Sequence, residues 1–132
     1  MGRVFILQMP FILAAQAIDQ EAPRPPEPQP GVNVEYGEYL ATNCSICHGE
    51  NFAGGGEAGG GVNLTPGGDM LNWSEADFIT AIRTGETPEG KSLDRDLMPW
   101  KDLGKMTDDE LKAIWLFLQT LPPVMSTPTP AK

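Results

Sequence analysis

The apolar positions of the chain predict three helices separated by two long irregular stretches. From Val34 to Cys44, Tyr36, Tyr39, Leu40 and Asn43 recur near helical spacing, and Gly37 offers a place for close packing. A second helix starts at Ser74, an N-cap with Asp77 three residues on. It carries Phe78, Ile79 and Ile82 on one face and stops at Gly85. A third starts at Thr107, where Glu110 completes a capping box, and its inward stripe is Leu111, Ile114, Trp115, Leu118 and Leu121. Asp108, Asp109 and Glu110 sit where the helix dipole favours acids, and Pro122-Pro123 ends the helix. No run alternates as a strand would, and no internal repeat is present, so the pattern predicts an all-α fold.

The stretches 49–73 and 86–106 are rich in Gly and Pro and lack clean periodicity. Loops this long in a small domain need something else to order them. With 132 residues the chain suffices for one domain, whose limited core an embedded cofactor would help complete.

The first residues read differently. Arg3 precedes a mostly apolar run from Val4 to Ala15, and Ala15-Gln16-Ala17 fits a small-x-small cleavage site. That run is shorter than the ~20 residues a membrane span takes. Segment 1–17 is therefore expected to be an export signal peptide, with a short membrane anchor as the other reading. No cysteine follows it to carry a bacterial lipid anchor. Residues 18–32, with Pro23, Pro25, Pro26, Pro28 and Pro30, read as an extended linker or an unstructured tail. The domain is placed at 33–122, followed by an irregular Pro-rich tail at 123–132.

Charge narrows the partners. Eighteen acidic residues against nine basic give a formal net charge of −9, a poor surface for nucleic acid. It suits either a basic patch on a protein partner or simple solubility.

The chemistry lies in Cys44-Ser45-Ile46-Cys47-His48, the C-x-x-C-H pattern of covalent haem attachment. Two thiols three residues apart on a helical turn reach the two vinyl groups of one porphyrin, and the following imidazole meets the iron. Structural zinc wants four ligands, and the chain has two cysteines and one histidine. A thioredoxin-like pair wants a βαβ setting, which the pattern lacks. Gly54-Gly55-Gly56-Glu57-Ala58-Gly59 matches G-x-G-x-x-G but has no strand before it or helix after it. It reads instead as a flexible loop around the haem edge.

With His48 the sole histidine, a second axial imidazole within the chain is excluded. A thioether is the natural sixth ligand and raises the reduction potential. Met70, Met98 and Met106 are the candidates within the domain, and Met98 is preferred because Pro99 restrains the backbone beside it. Met106 reads instead as a staple partner for Leu111, and Met70 lies in the Gly-rich approach to the second helix.

From about Val34 to Val124 the chain resembles class I cytochrome c domains, closest to bacterial monohaem modules. The matching strings are Gly37-Glu38-Tyr39-Leu40, Cys44 through Gly49, Asn63-Leu64-Thr65-Pro66, Asn72-Trp73-Ser74, Arg83-Thr84-Gly85, Met98-Pro99-Trp100 and Leu121-Pro122-Pro123-Val124. The resemblance implies a small class I cytochrome c fold, with helices and loops wrapped around one covalent haem c held by Cys44 and Cys47. It implies His48 and Met98 as iron ligands and a first and last helix crossing with Gly37 near Trp115. It further implies Trp73 and Arg83 near the haem propionates, Trp100 beside the cofactor, and a backbone carbonyl within Leu64–Pro66 orienting the imidazole.

The implied role is single-electron transfer between respiratory or photosynthetic redox proteins, with no catalytic residue of its own. The domain would be a diffusible carrier or a subunit of a membrane oxidoreductase, periplasmic or on the extracytoplasmic face, with membrane association through the N-terminus a further expectation. The other reading is a haem protein with an open or displaceable sixth site, peroxidase-like or gas-sensing.

Overall fold

A side-chain cap begins each of the three longer helices. Asn33, in extended conformation, accepts a hydrogen bond from the Tyr36 N–H at 2.8 Å and opens α1 (Val34–Ala41). A 3-10 turn (Thr42–Cys44) and the short α2 (Ser45–His48) carry the helical path on to His48, further than the spacing predicted. α3 (Glu75–Thr84) has the expected capping box between Ser74 and Asp77 and ends on Gly85 in the left-handed region, φ 74°. A single turn, α4 (Trp100–Leu103), follows Pro99, and α5 (Asp108–Thr120) opens on the capping box of Thr107 and Glu110. The structure is a computed structural model, and residues 21–56 and 60–126 are described. The expected signal or anchor segment 1–17 lies outside the described residues, as do 18–20 of the linker, 57–59 of the glycine run and 127–132 of the tail.

Among the described residues the fold is helical without strands; one isolated antiparallel bridge joins Glu86 and Ser92. Residues 23–29 carry no regular secondary structure and are almost all exposed.

Among the described residues, α1 lies across α5 in the most extensive helix contact. Gly37 is the reason they come so close. A Cβ there would overlap the Ala113 carbonyl and stand 2.9 Å from Phe117 Cβ. The expected crossing is therefore present, but Gly37 meets Ala113 and Phe117, not Trp115. Trp115 is two residues from each, about 200° around the helix, so it faces another neighbour. Its ring lies 5.6 Å from that of Phe78 on α3. Ala113 and Phe117 thus join Leu111, Ile114 and Leu118 as the buried positions of α5, while Trp115 and Leu121 are only partly buried.

Residues 123–126 are irregular, as expected, yet tied to the loop at 63–69. The buried Asn63 donates from Nδ2 to the Val124 carbonyl at 2.6 Å and accepts, at Oδ1, from the Thr65 N–H at 2.9 Å. The Thr65 hydroxyl, 1% exposed as a residue, donates to Asn63 Oδ1 at 2.8 Å and accepts from the Val124 N–H at 2.9 Å. The chain remains part of the folded unit beyond residue 122 because these buried polar groups need partners that the tail supplies.

Candidate functional site

The C-x-x-C-H segment sits at the C-terminal end of the path from α1 through α2, and the glycine-rich loop folds back over it. Gly54 N–H donates to the His48 carbonyl at 2.7 Å; Gly56 and Gly61 N–H donate to the Cys47 carbonyl at 3.0 and 2.8 Å. Carbonyls at a helix C-terminus have no partners within the helix, and here the loop provides them. Close approach demands glycine: a Cβ at Gly61 would stand 2.6 Å from the Cys47 carbonyl oxygen and 2.7 Å from His48 Nδ1. The described part of the run expected to be a flexible loop is thus an anchored cap on the motif.

The next turn of this loop sets the histidine. His48 is 7% exposed, and its Nδ1 lies 2.7 Å from the Val62 carbonyl. A carbonyl only accepts, so Nδ1 donates, and in the neutral ring Nε2 is the nitrogen with the lone pair. A ring held in this way is oriented and made more basic as a metal ligand. The orienting carbonyl was expected within Leu64–Pro66; it belongs to Val62, because the glycine cap ends at Gly61 and brings the following residue against the ring. Phe52, at φ 59°, turns the loop inward, and its buried ring packs edge-on to Phe117 at 5.4 Å.

His48 and Cys44 form part of the wall of a cavity of about 360 Å³. Leu64 and Met70 line it from the 63–70 loop, and Phe78, Ala81 and Ile82 line it from α3. Leu111, Ile114 and Leu118 contribute from α5, and Leu93, Met98, Leu103 and Met106 from the 86–106 stretch. Both long irregular stretches thus contribute walls to one chamber, through residues 62–73 and 87–106.

Cys44 and Cys47 are both free thiols one helical turn apart, and both are half-buried. Cys44 lines the cavity, whereas Cys47 stands outside its wall. Burial, reinforced by the neighbouring Cys47, pushes the Cys44 thiol above its ordinary pKa.

All three candidate methionines, Met70, Met98 and Met106, line the same cavity. Met70 is buried, and Met98 and Met106 are partly buried against the core. Met98 is held by its own backbone, its N–H donating to the Asp94 carbonyl at 2.8 Å and its carbonyl accepting from Trp100 N–H at 2.7 Å.

The remaining candidates separate. Trp73 lines the cavity, and its indole N–H donates to Glu89 Oε1 at 2.8 Å. Arg83 is outside the cavity wall. Its guanidinium donates to Asp108 at 2.8 Å and to the Gly104 carbonyl, so it braces α3 against the start of α5. The reason is its position on α3, on the side away from Phe78, Ala81 and Ile82. Trp100 is likewise outside the wall: its ring packs on Gly85 and its N–H donates to the Leu93 carbonyl at 3.0 Å. It supports the loop that forms the wall.

These residues fit a covalently held porphyrin. The cavity is chiefly apolar and lies within the range of cofactor pockets. One wall offers a tautomer-fixed imidazole and a thiol in the attachment spacing, with the second thiol one turn away.

A family model described as Cytochrome c matches residues 34–122. The chain belongs to the cytochrome c family. Its cofactor is covalent haem c, with Cys44, Cys47 and His48 in the attachment motif, and its general function is haem-based electron transfer. No curated protein matches the chain.

Sequence reasoning missed Val62, Lys91 and the Glu86–Ser92 turn. Val62 acts through its backbone, which no side-chain pattern reports. Lys91 and Glu89 are two charges among many until the fold brings them to the cavity.

Proposed function

We propose that this cytochrome is a single-electron carrier whose iron is ligated by His48 and Met98. The observation that carries the reading is the His48–Val62 hydrogen bond at the wall of a cavity that also contains the Met98 side chain. Bound haem supplies the one-electron ferric/ferrous couple. The Val62 carbonyl keeps Nε2 of His48 available as a donor, and the apolar walls from α3 and α5 keep water from the site. Met98 is favoured over Met70 and Met106 because its segment is braced on both sides, by Asp94 before it and by Pro99 and Trp100 after it. A restrained thioether loses little freedom on binding a metal, and thioether ligation favours the reduced state.

Such a protein binds and releases no substrate, so it acts as a carrier and not as an enzyme. Its acidic surface suits redox partners that present a basic patch, with association that weakens as salt rises. We place it on the extracytoplasmic side of a bacterial membrane, freely diffusing or docked to a respiratory or photosynthetic complex. Among the described residues no helix is long and apolar enough to cross a membrane.

Optical spectroscopy of matured protein and its Met98→Ala variant tests the ligand set. The native protein is expected to show a low-spin ferric spectrum with the weak methionine–iron charge-transfer band. The variant should lose that band, bind cyanide in the ferric state and have a lower potential. An unchanged spectrum in Met98→Ala would move the assignment to Met70 or Met106. A high-spin native spectrum that responds to added cyanide would instead establish the open-site reading.

A further inference from the structure

The charged side chains that line the cavity outside His48 are Asp69, Glu89 and Lys91. Among the described residues Lys91 is its only lysine or arginine. It stands on a tight turn: Thr87 N–H donates to the Lys91 carbonyl at 2.8 Å, Gly90 N–H to the Thr87 carbonyl at 2.9 Å, and Glu86 bridges to Ser92. Leu93 N–H donates to the Gly85 carbonyl at 2.6 Å, which ties the turn to the end of α3. Glu89 is engaged by the Trp73 indole at 2.8 Å, and that bond, with the nearby Lys91 charge a smaller contributor, holds its carboxyl below its ordinary pKa. Lys91 itself makes no salt bridge or hydrogen bond through its ammonium with any described residue, so its charge remains available to a further anion at the cavity.

Haem is apolar over its ring and carries two carboxylates on one edge. Those carboxylates need a cation or donors where they meet the protein, because an unpaired charge beside an apolar wall is costly. Arg83, the residue expected there, is committed to Asp108 and the Gly104 carbonyl. We propose that the Glu86–Ser92 turn is the carboxylate-recognising edge of the cavity, with Lys91 the countercharge to the haem propionates and Glu89 fixing the Trp73 indole beside them. The inference rests on covalent haem attachment, which the absorption spectrum of each variant checks separately.

A positive charge near the iron favours the ferrous state. The test is redox titration of matured protein carrying Lys91→Gln, Lys91→Glu, Lys91→Arg or Lys112→Gln. Lys112→Gln removes the same charge from α5 at a position outside the cavity wall. The potential should fall in Lys91→Gln, fall about twice as far in Lys91→Glu, and stay near native in Lys91→Arg. Redox-difference infrared spectra should show shifted propionate carboxylate bands in Lys91→Gln alone among the two glutamine variants. Equal potential shifts in Lys91→Gln and Lys112→Gln, or propionate bands unmoved by Lys91→Gln, would overturn the assignment. Haem lost from all variants and from native protein would refute the attachment itself.

Discussion

Replacing Gly37 by alanine separates two opposed effects at the crossing of α1 and α5. Helix propensity alone favours the change by about 1 kcal/mol, since glycine is the poorer helix former. The crossing opposes it. The new methyl would overlap the Ala113 carbonyl, which is backbone and cannot rotate aside, and would stand 2.9 Å from Phe117 Cβ. Overpacking typically costs about 1–3 kcal/mol, and a backbone obstacle on a helix argues for the upper end. The expected net loss is about 2 kcal/mol, and in a domain of this size about 4–8 °C accompanies each kcal/mol. The midpoint of thermal unfolding should therefore fall by roughly 8–16 °C. Circular dichroism of haem-loaded ferric protein measures it, with Glu38→Ala as the reference, an exposed position on the same helix. A Gly37→Ala midpoint equal to or above that of native protein would show that propensity governs the position and that the helices do not meet as closely as described.

Two further outcomes follow from other polar groups. Asn63→Ala removes the acceptor of the Thr65 N–H and the shorter of two donors to the Val124 carbonyl, the other being the Thr65 hydroxyl at 3.2 Å, at a cost of about 1–3 kcal/mol for the buried N–H left unpaired. Limited proteolysis should then cut near residues 122–126 faster than in native protein, and an unchanged cleavage rate would dismiss the strap. The Asp77 carboxyl is held below its ordinary pKa by hydrogen bonds from the Ser74 backbone and hydroxyl. A depressed folded-state pKa means a contribution present above the unfolded-state value and lost as pH falls through the folded-state one. Asp77→Asn should therefore flatten the stability profile on its acid side, as read from denaturant midpoints between neutral pH and the acid range. An identical profile for variant and native protein would exclude the linkage.

Elements whose information is local were legible in advance. The capping boxes Ser74–Asp77 and Thr107–Glu110 use neighbours three residues apart, and both helices begin where those residues predict. Cys44, Cys47 and His48 announce their chemistry because the attachment spacing is itself a local geometry. Periodicity found the buried Leu111, Ile114 and Leu118, and it passed over Ala113 and Phe117 because small size and a neighbouring helix decide their burial.

Tertiary structure decided the rest. Which carbonyl holds His48 depends on where a glycine cap lets the chain return, so the contact fell to Val62 and not to Leu64–Pro66. Arg83 carries a charge that sequence could assign to any nearby anion; only the approach of α3 to the start of α5 committed it to Asp108. Likewise Lys91 reached the cavity through a turn closed by backbone hydrogen bonds, and the tail joined the fold because Asn63 and Thr65 are buried. Patterns along a chain record each residue's own preferences over a few neighbours. Long-range backbone contacts and the pairing of charges depend on which segments pack together, and that is set by the fold as a whole.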